Sequence, residues 1–364
     1  MSSMQKKKKK IQKSEHIERG IQSIAPEEVS DFEIKNTFLR NDETGVDSLR
    51  KEVIAMENLL LEGTIEILSS LKTNKTILCV KYTEDCSCVA GGFTDGIVRL
   101  FKCADGQVFR TLFDLEIQEN TSPVTSIKHR PITYNLQMQM VMLKVGITIM
   151  DNVIYTIREK RQTYGIAYHP RLPKFITYGD DLKIYMYDEE TRTQERILSA
   201  SQIPGSIDGH ASRIFAACFN PRSNHEFITG GWDDVVYFWD VRQPHAIRHL
   251  SQIHMCGEGL DISHRGTEVL TCAWQKENPL QVYDYASGEL IVTMEPDGHE
   301  SLLYCGKFLN KDYAIVGGSD KSTFRIIDLQ TYSTVGSITG LIGGVYDLDA
   351  GPSKKSKRKI RKSP

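Results

Sequence analysis

Residues 227–242 read FITGGWDDVVYFWDVR, and weaker copies of this stretch recur along the chain at nearly constant intervals. The stretch ends in an aromatic residue followed by an acid, and the copies end in related pairs: Trp239-Asp240, Tyr187-Asp188, Tyr283-Asp284, Ile327-Asp328 and Phe101-Lys102. Trp239 to Tyr283 and Tyr283 to Ile327 are both 44 residues, and Phe101 to Tyr187 is 86, or two steps of 43. A fixed period of ~40–45 residues is the sequence mark of a β-propeller blade, a unit that cannot bury its apolar faces alone.

Six blade-like units follow from this period. Each opens with a short apolar strand, turns at a Gly-rich or acidic stretch, and closes its third strand on the aromatic-acid mark. The units cover 76–114, 123–160, 163–200, 210–250, 257–294 and 302–340. The second unit has apolar runs of strand length but neither an acidic turn nor the aromatic-acid mark. We therefore interpret it as a degenerate blade.

The segments beside these units determine the predicted number of blades. Residues 343–350, GGVYDLDA, have the pattern of an opening strand, and residues 65–71, IEILSSL, have that of a final strand. Pairing of these chain ends would close the ring and remove exposed sheet edges. The sequence therefore predicts an all-β propeller over 65–350 with seven blades, the second degenerate and the closing one incomplete. A ring of six blades is the alternative.

The two ends of the chain differ from this body. Residues 1–45 are polar, rich in charge and poor in aromatics, which predicts a disordered arm. An apolar stripe at helical spacing predicts an amphipathic helix over 46–61, docked on the propeller or on a partner. The members of the stripe are Val46, Leu49, Val53, Met56 and Leu60. Residues 351–364 are predicted to be a basic disordered tail.

Positive charge is concentrated at these ends. The chain has a formal net charge of −2, residues 1–13 hold six lysines, and Lys354–Lys362 hold seven Lys or Arg. Subtracting those 13 positive charges from −2 leaves −15 for residues 14–353. An acidic body argues against nucleic acid bound across its own surface, because phosphates need a basic footprint. The tails remain candidates for such contact, and Lys354–Lys362 has the composition of a nuclear localisation signal or of a solubilising charge run.

Several classes of site find no support in the sequence. The eight cysteines show neither paired CxxC spacing nor a compact disulfide framework, which predicts free thiols and no metal site. Phosphate-loop and dinucleotide-binding fingerprints are missing. The apolar runs are shorter than the ~20 residues that a membrane span needs, and no apolar signal region follows the N-terminal lysines. We expect an intracellular protein without cofactor or membrane contact, in the nucleus or the cytoplasm.

Four polar residues accompany the best copy of the repeat. His210 precedes the first strand of its unit, Thr229 lies in the second, Asp233 in the tight turn and Trp239 in the third. This unit resembles the WD40 repeat family closely, and the rest of 65–350 resembles it more loosely. The resemblance implies a hydrogen-bonded chain through the four side chains, whose donors and acceptors are complementary. We favour this structural role over catalysis by His210 and Asp233, because no nucleophile stands in a known arrangement with them.

The other units keep this pattern only in part. The third has Thr177 and Asp181 at matching positions, whereas the first has Asp95 but carries Gly91 where a hydroxyl would stand. The sequence therefore predicts that only the unit at 210–250 has the whole network. It also predicts that this unit is the most stable and the second unit the least stable.

The resemblance also implies a rim for partner binding. In WD40 proteins the residue before the turn Asp commonly lies on that rim, and the matching positions here hold Thr94, Asp180, Trp232 and, with altered turn spacing, Ser319. Arg213 follows the His210 loop and is expected near Trp232. Trp and Arg are the residue types most enriched in interface hot spots. The alternative is that Trp232 packs against a neighbouring loop.

Three functions agree with the sequence. We favour a non-enzymatic scaffold that binds protein or peptide partners on a rim, as a monomeric propeller within a larger complex, because every recurring residue has a structural role. The second rests on Trp239-Asp240-Val241-Arg242, which resembles the WDxR box of substrate receptors of cullin-4 ubiquitin ligases and makes Arg242 a candidate contact to the ligase adaptor. The third is an RNA-associated nuclear WD repeat protein that uses its basic tails.

Overall fold

The strands of the molecule follow one another without an intervening helix in the described part of the chain. The computed structural model describes residues 60–63, 65–67, 70–112, 122–130, 139–144, 147–150, 156–294, 302–319, 323–341 and 343–351. Among these residues, no helix has the length and apolarity needed to cross a bilayer.

The strands are short and alternate with tight turns, as the sequence pattern predicts. The first thirteen are β1 (Leu60–Gly63), β2 (Ile77–Tyr82), β3 (Cys88–Phe93), β4 (Val98–Lys102), β5 (Val108–Leu112), β6 (Val124–Arg130), β7 (Gln139–Lys144), β8 (Ile147–Met150), β9 (Thr156–Arg158), β10 (Thr163–Tyr168), β11 (Lys174–Gly179), β12 (Ile184–Asp188) and β13 (Thr193–Leu198). The others are β14 (Ile214–Phe219), β15 (Glu226–Gly231), β16 (Val235–Asp240), β17 (Arg248–Ser251), β18 (Leu260–Ile262), β19 (Glu268–Cys272), β20 (Leu280–Asp284), β21 (Leu290–Thr293), β22 (Leu303–Phe308), β23 (Tyr313–Gly318), β24 (Phe324–Asp328) and β25 (Ser333–Thr339).

Five of the described sheets have four antiparallel strands each, taken in chain order. We call them blade 1 (β2–β5), blade 2 (β6–β9), blade 3 (β10–β13), blade 4 (β14–β17) and blade 5 (β18–β21). The remaining sheet has five strands in the order β1-β25-β24-β23-β22, and we call it the closing sheet. Each sheet falls within one of the units set by the sequence period, apart from the added strand β1.

The all-β propeller is confirmed, but the predicted number of blades is wrong. Residues 343–350 form no strand, and neither does the described part of 65–71, so the seventh blade has no strands. The alternative of six blades does not describe the ring either. Five blades have four strands, whereas the closing sheet has taken up β1 as a fifth.

The predicted N-terminal elements lie mostly outside the described residues. This applies to 1–45, to 46–59 of the predicted helix, and to 352–364 of the tail. Leu60 and Leu61, the end of the predicted helix, instead belong to β1 and pair with Thr339 and Ile338 of β25. The helix is therefore wrong for these two residues, because the open edge of β25 offers their backbone a ladder of hydrogen bonds.

Residues 343–351, which we call the closing segment, complete the ring between β22 and β2. The carboxylates of Asp347 and Asp349 accept hydrogen bonds from the backbone amides of Val80 and Tyr82, over 2.8 and 2.9 Å. Leu348 packs with Cys305 of β22 in a shared apolar cluster. Side-chain oxygens thus satisfy the inner edge of β2, where a neighbouring strand would otherwise do so.

The apolar core lies between neighbouring blades. One cluster joins Tyr178 of blade 3 to Phe227 and Trp239 of blade 4, all fully buried. Similar clusters join blade 4 to blade 5 and blade 5 to the closing sheet. Each blade therefore buries its faces only with its neighbours, which is the reason a repeat period implies a ring.

Candidate functional site

The four polar residues of blade 4 form one continuous hydrogen-bonded chain. His210 Nδ1 lies 2.8 Å from Asp233 Oδ2, and His210 Nε2 lies 2.7 Å from Thr229 Oγ1. The indole N–H of Trp239 donates to the same hydroxyl over 2.7 Å. Burial acts to raise the pKa of Asp233, but hydrogen bonds from His210 and from the Ala211 amide outweigh it, so the pKa is lowered. When His210 donates from Nδ1 and accepts at Nε2, the hydrogen bonds run in a single direction, from Trp239 to Asp233.

Blade 3 carries a complete network of different composition. Glu159 Oε1 accepts hydrogen bonds from Thr177 Oγ1 over 2.5 Å and from the Tyr187 hydroxyl over 2.8 Å. Arg161 donates from Nε to Glu159 Oε2 over 2.7 Å and from a terminal nitrogen to Asp181 over 2.6 Å. Burial and the adjacent Glu159 carboxylate raise the pKa of Tyr187.

The four-residue network of the motif thus lies in blade 4, and the network of blade 3 is one that the sequence did not predict. Thr177 and Asp181 are joined to Glu159 and Arg161, which the sequence reasoning missed. A signal was available: Glu159 stands 18 residues before Thr177, and His210 stands 19 before Thr229. Because Glu159 is not an imidazole, the motif did not reveal it. In blade 1, Asp95 accepts a hydrogen bond from the Ile97 amide of its own turn over 3.1 Å.

The four predicted rim residues occupy one equivalent position in their sheets. Each amide donates, over 2.9 to 3.1 Å, to the carbonyl of the residue before the first strand. The pairs are Thr94 with Thr76, Asp180 with Gln162, Trp232 with Arg213, and Ser319 with Leu302. In blade 5 the amide of Trp274 donates over 2.8 Å to the carbonyl of His254, which lies six residues before β18. Trp274 escaped sequence analysis because the altered spacing of that blade's turn hid its register.

Trp232 is both packed and accessible. Its ring stacks on Phe215 with 5.3 Å between centroids, and the guanidinium of Arg213 lies 5.1 Å from its centroid. The side chain is nevertheless 41% exposed. Arg213 thus lies beside Trp232, as expected. One part of the indole packs against Phe215, and another part is open to solvent.

In five of the six described sheets, a β-bulge at the start of the first strand turns one side chain out of the regular ladder. Pairing between the first and second strands skips one residue at this point in blades 1 to 4 and in the closing sheet. The skipped residues are Leu78, Thr125, Tyr164, Phe215 and Tyr304. Bulges re-aim side chains, and all five line one cavity of about 280 Å³.

This cavity, which we call the channel-mouth pocket, combines an aromatic wall with acidic groups. Blade 5 and the closing segment complete it. The rest of its lining is Cys79, Cys256, Gly257, Glu258, Tyr346 and Asp347. Four of the lining side chains carry aromatic rings, and the two charged ones among the described residues are both carboxylates, those of Glu258 and Asp347.

The rings of the pocket continue along the rim as an unbroken series, which we call the aromatic arc. Successive ring centroids lie 4.9 to 6.4 Å apart. The arc runs through Tyr164, Phe215, Trp232, His254, Trp274, Tyr304 and Tyr346. It spans blades 3, 4 and 5, the closing sheet and the closing segment. Of its members, sequence reasoning had found only Trp232.

Charged side chains inside the ring support the pocket. Glu258 accepts a hydrogen bond from Ser126 Oγ over 2.9 Å and pairs with Lys128, so blade 5 is tied to blade 2. Burial acts to raise the pKa of Glu258, but the charge of Lys128 outweighs it and the pKa is lowered. Burial raises the pKa of Asp347, against the opposing charge of nearby Lys307.

Arg242 lies away from the pocket. In blade 4, Gly231 and Trp232 stand at one end of β15, whereas Asp240 pairs with Glu226 at the other end. The guanidinium of Arg242 forms a two-point ion pair with Asp240, over 2.6 and 2.9 Å, and its side chain is 65% exposed. Arg242 therefore stands on the face opposite the aromatic arc.

The cysteines and acids do not assemble into a metal centre in the part of the chain that the structure describes. No three His, Cys, Asp or Glu side chains there are grouped closely enough to hold an ion. All eight cysteines are free thiols.

The four network residues of blade 4 lie in a region that matches a known family of sequences. A family model described as "WD domain, G-beta repeat" matches residues 201–240. Residues 201–240 of the chain therefore contain a WD40 repeat. Among curated proteins, the ribosome biogenesis protein WDR12 homolog of Ixodes scapularis is 27% identical over 82 residues, or 22% of this chain. The matched region is 18% of that relative's length, so the chain spans less than a fifth of it.

Proposed function

We propose that this WD40 propeller is a non-enzymatic scaffold that captures a protein or peptide partner on the rim formed by the aromatic arc. The observation that carries the proposal is the arc itself, a continuous series of rings around the channel-mouth pocket. Aromatic side chains supply large contact areas at low cost in conformational entropy, and Trp and Arg dominate interface hot spots. An apolar pocket with a few convergent polar groups is the ordinary form of a binding site.

The surrounding structure supports capture by a rigid surface. The loops that carry Trp232 and Asp180 are tied to the networks of blades 4 and 3. A preorganised surface loses less conformational entropy on binding, so more of the contact energy appears as affinity. His210 and Asp233 are committed to the network of blade 4, and His210 is buried, which favours a structural role over a chemical one.

The proposal is tested by comparing Trp232→Ala with Ile197→Ala in full-length protein. Ile197 is a matched control because it is an exposed apolar residue on the outer strand of blade 3. Loss of a hot-spot residue costs about 2 kcal/mol or more. We therefore expect recovery of the main partners, quantified by mass spectrometry after affinity capture, to fall at least about tenfold for Trp232→Ala and to stay unchanged for Ile197→Ala. Equal recovery by both variants would reject the arc, and a large drop in Tm would assign Trp232 to packing.

A ligase-receptor role is a second candidate, favoured by the position of Arg242. Its exposed guanidinium on the opposite face leaves the arc free for a substrate while an adaptor is bound. The test is co-purification of the cullin-4 adaptor with wild type, Arg242→Ala and Arg110→Ala. Arg110 is an exposed arginine on β5 of blade 1. Selective loss with Arg242→Ala supports the role, and retention by all three chains opposes it.

A nuclear, RNA-associated role draws support from two other observations. The relative that matches 82 residues is named for ribosome biogenesis, and the basic runs at 1–13 and 354–362 have the composition of nucleic-acid and import contacts. RNA retention that is sensitive to salt and lost on deletion of both runs would support this role. Retention that survives the deletion would oppose it.

A further inference from the structure

We infer that the channel-mouth pocket takes a single lysine or arginine side chain from an extended peptide lying on the aromatic arc. The inference rests on the proposed function and adds the chemical class of the partner. It follows from the size, the charge and the walls of the pocket, taken together.

The size of the pocket suits one side chain. Its volume of about 280 Å³ lies just below the ~300–1,000 Å³ of pockets that enclose drug-sized ligands. The bulge residues Tyr164, Phe215 and Tyr304 stand around it, and Tyr346 of the closing segment faces the same cavity. One flexible, unbranched side chain fits this volume, whereas a folded segment does not.

The charged groups exposed to the pocket favour a cation, because the lysines that balance them, Lys128 and Lys307, stand behind its lining. Glu258 and Asp347 both line it, while Lys128 and Lys307 do not. Asp347 accepts one hydrogen bond at each oxygen, from the amides of Val80 and Leu348, both over 2.8 Å. A carboxylate has about four acceptor sites, so each of these groups retains capacity for a further donor. An incoming anion would face two carboxylates.

The aromatic walls of the pocket and the net charge of the surrounding protein favour the same ligand. Ring faces attract lysine and arginine, by about 0.5–2 kcal/mol depending on desolvation. The rim already shows this contact, because the guanidinium of Arg213 lies over the ring of Trp232. Residues 14–353 carry a net charge of −15, which speeds the approach of a basic partner at low salt.

The chain's own basic tail is a less direct source of the cation. The closing segment passes the pocket at Tyr346 and Asp347 and then follows β2 to Tyr82. Gly351, its last described residue, lies next to Cys86 in the turn after β2, with 3.3 Å from an ideal Cβ to the sulfur. The tail therefore starts from the far end of β2, so the geometry favours a separate peptide.

The test uses immobilised octapeptide pools whose central residue is fixed as Arg, Lys, Ala or Glu and whose other positions are random. We expect full-length protein to bind the Arg or Lys pool at least about tenfold better than the Ala pool, and the Glu pool worst. Glu258→Gln and Asp347→Asn should each remove most of this preference. The matched control is Asp234→Asn, an exposed rim carboxylate beside His254 that does not line the pocket, and it should keep the preference.

Two further variants guard against loss of folding, which thermal unfolding monitors for every chain. Glu258→Gln combined with Lys128→Met removes both members of the ion pair, so no buried charge is left alone. Tyr346→Ala changes the wall at a side chain that is 42% exposed and leaves both carboxylates in place. Each folded variant should bind the Arg pool several-fold more weakly than wild type.

The outcomes separate the inference from the proposed function. Equal binding of the Arg and Ala pools, binding of no pool, or a preference that survives both carboxylate changes would overturn the inference. Binding that is lost in Trp232→Ala but shows no preference for a cation would overturn it and leave the scaffold role intact. Stronger binding of the Arg pool after deletion of 352–364, together with competition by the free tail peptide KKSKRKIRK, would show that the tail is the occupant and overturn the separate peptide.

Discussion

Blades 3 and 4 hold equivalent turns in place with different side chains. In blade 4 a histidine between β13 and β14 links a buried threonine to the carboxylate of the turn. In blade 3 the pair of Glu159 and Arg161, between β9 and β10, makes the corresponding links. In these two blades the buried hydroxyl and the turn carboxylate are therefore linked either by an imidazole or by an ion pair.

The two networks differ in how much stability a single substitution should remove. Arg161 and Glu159 are only 3% and 2% exposed in their side chains, so the loss of one strands the other as a buried charge. Such a loss costs about 3–5 kcal/mol, whereas loss of His210 leaves Asp233 its hydrogen bond from the Ala211 amide.

Arg161→Met should therefore give the largest effect. We expect the free energy of unfolding to fall by about 3–5 kcal/mol, because Glu159 is left buried without its ion-pair partner. Urea unfolding followed by tryptophan fluorescence measures it. Arg110→Met, at an exposed arginine, should change stability by less than about 0.5 kcal/mol. The double variant Glu159→Gln with Arg161→Met should recover part of the lost stability. If Arg161→Met lowers the free energy of unfolding by less than His210→Ala does, the predicted order of the two effects is wrong.

His210→Ala should give the second largest effect. The change removes a ring that hydrogen-bonds both Asp233 and Thr229, and the unsatisfied buried groups should cost about 2–3 kcal/mol. The same urea titration measures it, with His264→Ala at an exposed histidine as control. A loss as small as that of the control would mean that water replaces the imidazole without penalty.

The smallest effect should appear as a dependence on pH in blade 4. The pKa of Asp233 is lowered in the folded protein from its ordinary value of 3.8. The associated stability is therefore present above that value and is lost as the pH falls through the lowered folded pKa. Between pH 6 and pH 3 we expect Tm to fall more steeply in wild type than in Asp233→Asn. Parallel slopes would show that other carboxylates account for all of the acid sensitivity.

The sequence predicted the sheets because their signals are local. Alternating strands, tight turns and the aromatic-acid mark lie within each unit, and all six units contain a sheet. The number of blades was not predictable in this way, because it depends on contacts between segments far apart in the chain. Residues 343–350 contact β2, and β1 pairs with β25. The pattern of 343–350 does not distinguish a paired strand from a segment whose Asp347 and Asp349 side chains bind the edge of β2.

The pocket was less predictable than the fold. Tyr164 and Phe215 follow the alternating pattern of their strands, and a one-residue shift in pairing is invisible in sequence. Trp274 and Glu159 were missed for another reason, because each stands at a motif position with an altered spacing or an unexpected residue type. Trp232 and the blade 4 residues were found because that blade departs least from the WD40 pattern.

The position of the closing segment also bears on how the chain folds as it is made. Strand β1 has its partner in β25, and the inner edge of β2 is bonded by Asp347 and Asp349. Both contacts join residues that leave the ribosome early to residues that leave it after all the other strands. During synthesis at ~5–20 residues per second, the edges of the early strands therefore stay open until the last sheet has emerged. A nascent chain of this protein should consequently bind holdase chaperones until residue 349 is clear of the exit tunnel.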